Sequence, residues 1–281
     1  MLDYNLLLCY NSNTVFYTYE ISAATSDLVD DYYVQNVTED IVISEINANE
    51  LVEYAVTLNG KELTKNVDYT VVASGGNGQW MKYTYTVNKD LFANEGEHNL
   101  VVSSKDMAEN DAFSDVKDTA INFVVDRTAP VVAVTGMATD GRYQTDVQTV
   151  TVIPTDDGGA LKSIIISMLD KDGKTIKEIA NLAGDELANV LENSDGKIEF
   201  TIDNGLYQNV RIVCNDYAVD SNDETNTYDE TFTNISVSSS AVMIFWANKP
   251  LRWGSIAGVS ATAILLAVVI IFVKKKRKGA K

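Results

Sequence analysis

The chain is poor in the residues on which disulfide scaffolds and most hydrolases depend. It has one histidine, His98, two cysteines, Cys9 and Cys214, and three prolines. Two cysteines in separate segments make no disulfide framework, so each is expected to be a small buried hydrophobe. One histidine leaves a Ser-His-Asp or Cys-His arrangement a single base. His98 follows Glu97 at an expected turn and strand start, with no nucleophile beside it, and reads as an exposed strand-edge residue. Zinc needs three or four N, S or carboxylate ligands, which one histidine and two distant cysteines do not supply. The run Gly75-Gly76-Asn77-Gly78 lacks the helix and lysine of a phosphate loop and reads as a hairpin.

Positive charge is scarce as well. No lysine or arginine precedes Lys61, and Asp3 lies in the opening residues, so the basic n-region of a signal peptide is missing. The expectation is a C-terminal piece of a longer protein. Residues 1–247 hold all 40 acidic but only 14 basic residues, a balance of −26. Such a field repels nucleic acid and anionic headgroups, which excludes nucleic acid as a partner, and it attracts divalent cations.

One long apolar run is present. Residues 254–273, from Gly254 to Val273, carry no charge and are followed by Lys274, Lys275, Lys276, Arg277 and Lys278. Twenty residues at helical rise cover roughly 30 Å, the thickness of a bilayer's hydrocarbon core. A single transmembrane helix is therefore expected, with the basic tail, 274–281, in the cytoplasm and the rest outside the cell. Trp246 and Trp253 fall where interfacial aromatics belong. Asn248-Lys249-Pro250-Leu251-Arg252 is not a sortase pentapeptide, so the helix is expected to stay as the anchor. With an eight-residue tail, 274–281, a signalling receptor is not expected.

The remainder repeats itself at an offset near 110. Ile21-Ser22-Ala23-Ala24-Thr25 matches Val131-Val132-Ala133-Val134-Thr135. Tyr33 falls on Tyr143, Asp106-Met107-Ala108 on Asp216-Tyr217-Ala218, and Phe123 one residue away from Phe232. A period of that size means a tandem pair of folded modules. Within each module short alternating runs such as Met81-Lys82-Tyr83-Thr84-Tyr85-Thr86-Val87 are divided by Gly, Asn and Asp turns. Seven or so strands per module predict an all-β protein of tandem immunoglobulin-like β-sandwiches, followed by the single C-terminal transmembrane helix. The competing signal is Gly184–Asn193, read as one short helix crossing between strands. The expected layout is a remnant strand and turn at 1–15, sandwiches at 16–126 and 130–238, a juxtamembrane linker at 239–253, the span at 254–273 and the tail at 274–281. Pro130 breaks pairing at the module boundary.

Residues 83–130 also carry a specific resemblance. Glu95-Gly96 as a turn, an alternating strand, Asp106-Met107-Ala108-Glu109-Asn110 and the linker Val125-Asp126-Arg127-Thr128-Ala129-Pro130 are similar to the bacterial Ig-like repeats of large Gram-positive (Firmicutes) surface proteins. The likeness covers about residues 16–240. The second module departs from it, with Gly205-Leu206-Tyr207 at the turn and no Thr-Ala-Pro exit. It implies fold and location and no substrate.

Two acidic features stand out. Asp170-Lys171-Asp172-Gly173 resembles the start of an EF-hand loop, but no later acids complete it, and Leu58-Asn59-Gly60-Lys61 occupies the equivalent point, so it reads as a turn. The set Asp156, Asp157, Asp216, Asp220, Asp223 and Glu224 lies in loops that meet at one end of an immunoglobulin sandwich, where acids can converge on Ca²⁺. The competing reading makes Asp106 and Asp216 structural. Each would accept backbone N–H bonds two residues on, with the small Ala108 and Ala218 tucked beneath, while Asp126 and Pro130 shape the linker. Asp156, Asp157, Asp216 and Asp220 are the metal candidates, and no other cofactor is expected. The expected function is a non-enzymatic, membrane-anchored surface protein whose acidic modules form a stalk or bind an extracellular protein or glycan. The alternative is the anchor end of a surface glycosidase or peptidase whose catalytic domain lies upstream.

Overall fold

The computed structural model describes residues 7–8, 17–21, 32–47, 50–75, 81–107, 111–112 and 120–248. The expected span 254–273, the tail residues Lys274, Lys275, Lys276, Arg277 and Lys278, and Cys9, Ala108 and the turn residues 76–78 lie outside them. Among the described residues no helix is long and apolar enough to cross a membrane.

The chain divides into two compact units. The first comprises Met1–Pro130, Thr155–Lys162 and Asn215–Thr227, and the second Val131–Pro154, Ser163–Cys214 and Tyr228–Lys281. Two stretches of the second sequence repeat thus group with the first unit, which differs from the contiguous 16–126 and 130–238 expected from the repeat alone.

In chain order the first repeat holds β1 (Leu7–Leu8), β2 (Tyr17–Ile21), β3 (Tyr32–Val34), β4 (Ile41–Asn47), β5 (Leu51–Leu58) and β6 (Lys61–Glu62). Then come β7 (Tyr69–Gly75), β8 (Met81–Val87), β9 (Gly96–Asp106), β10 (Asp111–Ala112) and β11 (Ile121–Val125). One sheet runs β1-β2-β4-β8-β7; the other contains β3-β11-β9-β5-β6, with β10 on the side of β9. Written with strand letters, β2-β4-β8-β7 is A-B-E-D and β11-β9-β5 is G-F-C, the immunoglobulin arrangement. Alternation explains the sandwich. In β8 every second residue, Tyr83, Tyr85 and Val87, is buried, and these meet Val56, Leu100, Val102, Ile121 and Phe123 of the other sheet in one core. Each such side chain contributes about 1.5–3 kcal/mol on burial. The turn between β5 and β6 has φ of 51° at Asn59 and 75° at Gly60, the two positive values a tight I′ hairpin needs.

The second repeat holds β12 (Val131–Thr135), β13 (Arg142–Tyr143), β14 (Val147–Thr155), β15 (Leu161–Leu169), β16 (Thr175–Ala183) and the helix α1 (Gly184–Asn193). It continues with β17 (Ile198–Asp203), β18 (Gly205–Val219), β19 (Thr225–Val237) and α2 (Ala241–Ala247). The order is β12-β14-β17 in one sheet and β13-β19-β18, with β15-β16 beside β18, in the other, where β18 also pairs β3 through Val219 and Val34 inside the first unit; this is again A-B-E against G-F-C. The helix foreseen at Gly184–Asn193 stands in the chain where the first repeat has β7. Asp185 and Glu186 in its first turn suit the helix N-terminus, and the left-handed Gly196 donates its N–H to Leu191 O to close the other end.

The two repeats share a detail of strand pairing. The short β3 pairs in parallel with β11, Tyr33 opposite Val124, and β13 pairs in parallel with β19, Tyr143 opposite Val237. The tyrosines keep the 110-residue offset, but by this register the counterpart of Phe123 is Ser236, not Phe232. Cys214 is fully buried on β18, as expected of a small hydrophobe.

One expectation needs correction. His98 is buried, because β9 alternates Glu97 outward and His98 inward. Its ring lies 5.4 Å from Phe92 and 5.2 Å from Phe123, and Nε2–H donates to Asn94 O at 3.2 Å. Burial pushes its pKa down, against the hydrogen bond to Asn94. Within residues 239–253, Ser240 Oγ accepts from Met243 N and caps α2.

Candidate functional site

Three aspartates come together in the first unit. Asp126 follows β11, Asp156 follows β14, and Asp216 lies near the end of β18. Each closes a local turn with one oxygen. Asp126 Oδ1 accepts from Thr128 N at 2.9 Å, Asp156 Oδ1 from Gly158 N at 3.3 Å and Asp216 Oδ1 from Ala218 N at 3.0 Å. Asp156 Oδ1 also accepts from Gly159 N, and Asp216 Oδ2 from Asn226 Nδ2 at 2.8 Å. Asn226 Nδ2 reaches Asp126 O as well, which ties the end of β11 to the start of β19.

One carboxylate oxygen from each of the three lies within 4.8 Å of the others. Asp126 and Asp216 are fully buried and Asp156 is half-buried. Asp126 Oδ2 and Asp156 Oδ2 are buried without a hydrogen-bond partner. Burial pushes the Asp126 carboxyl up, the N–H of Thr128 and, more weakly, the Asp216 side chain oppose the shift, and the charges of Asp156 and Glu95 add to it. Asp216 is pushed up to about 6 by burial; Asn226 opposes, and the Asp126 and Asp156 charges reinforce. Among the described residues no ion pair neutralises the three.

Glycine lets the 155–162 loop approach. A Cβ on Gly158 would lie 2.5 Å from Asp126 Oδ1, and one on Gly159 would lie 2.5 Å from Asp126 Oδ2 and 3.4 Å from Asp156 Oδ2. Only a residue without a side chain leaves that space open.

Of the metal candidates read from the sequence, Asp156 and Asp216 are brought together and Asp157 and Asp220 are not. Asp157 is exposed beside the cluster. Asp220 folds back on its own turn, its Oδ1 accepting from Asn222 N and Glu224 N, and these bonds hold its carboxyl below the usual range. Asp223 and Glu224 are exposed in that same turn. Asp126, read as a linker residue, is the third member. Ala218 is fully buried beneath the Asp216 turn, Asp106 is fully buried at the end of β9, and Pro130 is buried just before β12. Asp170 accepts from Asp172 N and Lys174 N, an ordinary turn.

A fourth buried acid went unnoticed in the sequence reading. Glu45 on β4 is fully buried, with Oε1 accepting from Ser104 Oγ at 2.6 Å and Oε2 from Tyr85 OH at 3.0 Å. Burial raises its pKa against the pull of these hydrogen bonds, and the Asp106 charge adds to the rise. The signal was available: in Ile41-Val42-Ile43-Ser44-Glu45 the alternation puts Glu45 on the face of Ile41 and Ile43.

No protein-family model and no curated protein matches the chain. Similar solved structures include the full ectodomain (Ig1–Ig3) of mouse nectin-like molecule 4, at 10% identity and TM-score 0.35, covering 80% of this chain and 65% of that one. The I9–I11 tandem of titin is similar at 13% identity and TM-score 0.24, covering 78% of this chain and 66% of that one. The N-terminal eight Ig domains of Down Syndrome Cell Adhesion Molecule are similar at 14% identity and TM-score 0.23, covering 79% and 28%. The chain spans less than two thirds of the length of each. Its own strand order, A-B-E against G-F-C in both repeats, makes the fold immunoglobulin-like.

Proposed function

We propose that the chain is a membrane-tethered bacterial surface protein, in which Ig-like modules act as a stalk or adhesion element and carry no catalytic centre of their own. The observation that carries the tethering is α2. Val242, Met243, Phe245 and Trp246 are exposed on this short helix, seven residues ahead of the uncharged run 254–273. Exposed apolar and aromatic side chains next to an apolar span suit the bilayer interface. The reading of the modules as non-catalytic is supported by His98, the one histidine, which serves the aromatic core with Phe92 and Phe123.

The test is membrane partition in a bacterial host, with a secretion signal supplied at the N-terminus. The full chain is expected to stay in the membrane pellet through alkaline carbonate washing, and external protease should remove the modules while sparing a tag at the C-terminus. A chain ending at residue 253 should be released. Recovery of both forms in the same soluble fraction would overturn the reading.

A further inference from the structure

We propose that Asp126, Asp156 and Asp216 form a binding site for a divalent cation of the calcium type. More than the gathering of three acids marks the site. Asp126 is fully buried, yet its Oδ2 has no hydrogen-bond donor. The equally unpartnered Asp156 Oδ2 faces the same point, since both approach the place a Gly159 Cβ would take. A buried carboxylate oxygen is costly to leave without a donor or a cation. The donors that do reach these side chains, four backbone N–H groups and the Asn226 amide, are spent on Asp126 Oδ1, Asp156 Oδ1 and both oxygens of Asp216. Two inward oxygens are left for a ligand that brings positive charge.

The chemistry of the donors selects the cation. All three are hard carboxylate oxygens, without a thiolate or imidazole, which suits Ca²⁺ or Mg²⁺ and not zinc or copper. Mg²⁺ demands a near-ideal octahedron, whereas Ca²⁺ accepts the irregular spacing set by three separate turns. The cation would fasten the 155–162 and 215–227 segments to the end of β11 inside the first unit. This goes beyond the surface reading above, and the two fail separately: cation binding is measured on purified protein in detergent, membrane partition in cells.

The experiment is thermal unfolding and titration calorimetry of the full chain in detergent, with CaCl₂, with MgCl₂ and with EDTA. The midpoint of wild type is expected to rise by about 5 °C or more in millimolar CaCl₂, since a ligand bound only by the folded state shifts unfolding. Asp156→Asn and Asp126→Asn should lose that shift and the calorimetric heat. Asn keeps the turn-closing oxygen, so Asp126→Asn in EDTA should unfold at or above the wild-type midpoint. A merely structural aspartate would instead lower the midpoint equally with and without calcium. Asp157→Asn, beside the cluster, should retain the full calcium shift. Equal midpoints for wild type in CaCl₂ and EDTA, or an unchanged shift in Asp156→Asn, would overturn the proposal.

Discussion

Phe123→Ala is expected to destabilise the first unit by about 3–5 kcal/mol, the range for deleting a large buried aromatic. Phe123 is 1% exposed on β11, its ring 5.3 Å from Phe92 and 5.2 Å from His98. It also lies opposite His98 in the β9–β11 register, so its removal opens a void against the one buried imidazole. That adds a second readout. Burial holds the His98 pKa down, and water entering the void should let it return toward the ordinary histidine range. Denaturant unfolding measures the first effect. The lone imidazole resonance, titrated by NMR, measures the second. A loss below about 1 kcal/mol with an unmoved histidine titration would place Phe123 outside the core.

Glu45→Gln is expected to act in the opposite direction, stabilising the first unit by about 1–3 kcal/mol at pH 8, because a buried carboxylate is costly even when hydrogen-bonded. The amide preserves shape, and the Tyr85 and Ser104 hydroxyls can each turn from donor to acceptor to meet it. The pH dependence follows from the raised pKa of Glu45. The folded chain holds this proton more tightly than the unfolded chain, so the contribution to stability is complete below the ordinary glutamate range. It is lost as pH rises through the higher folded-state value. The stability difference between variant and wild type should therefore be small at pH 4 and grow toward pH 8. A difference independent of pH, or one that favours wild type at pH 8, would show that Glu45 is solvated.

The fold was legible because its causes are local. Met81-Lys82-Tyr83-Thr84-Tyr85-Thr86-Val87 alternates as β8 does, Asn59-Gly60 supplies the two positive φ values of its hairpin, and Gly184–Asn193 forms the helix its sequence suggested. The same period-2 rule puts His98 and Glu45 inside, although the polarity of His98 suggested the surface and Glu45 was not singled out. The acidic site was half legible. Asp156 and Asp216 could be placed from the loops that meet at one end of a sandwich. Asp126 could not, since nothing in residue spacing reports that a linker carboxylate comes within 4.8 Å of residues 30 and 90 positions later. Gly158-Gly159 directly after two aspartates was the remaining clue, because paired glycines mark a close approach of backbone to another group.

Each repeat is an immunoglobulin-like sandwich closed by a parallel pairing of its short strand with its last strand. Backbone NOEs in the isotope-labelled full chain test it most directly. Contacts are expected between Tyr33 and Val124 and between Tyr143 and Val237, in parallel register, with Glu97 opposite Val124 from the other side. If β3 and β13 showed instead antiparallel contacts to β4 and β14, or no contact to β11 and β19, the sandwich described for both repeats would be wrong.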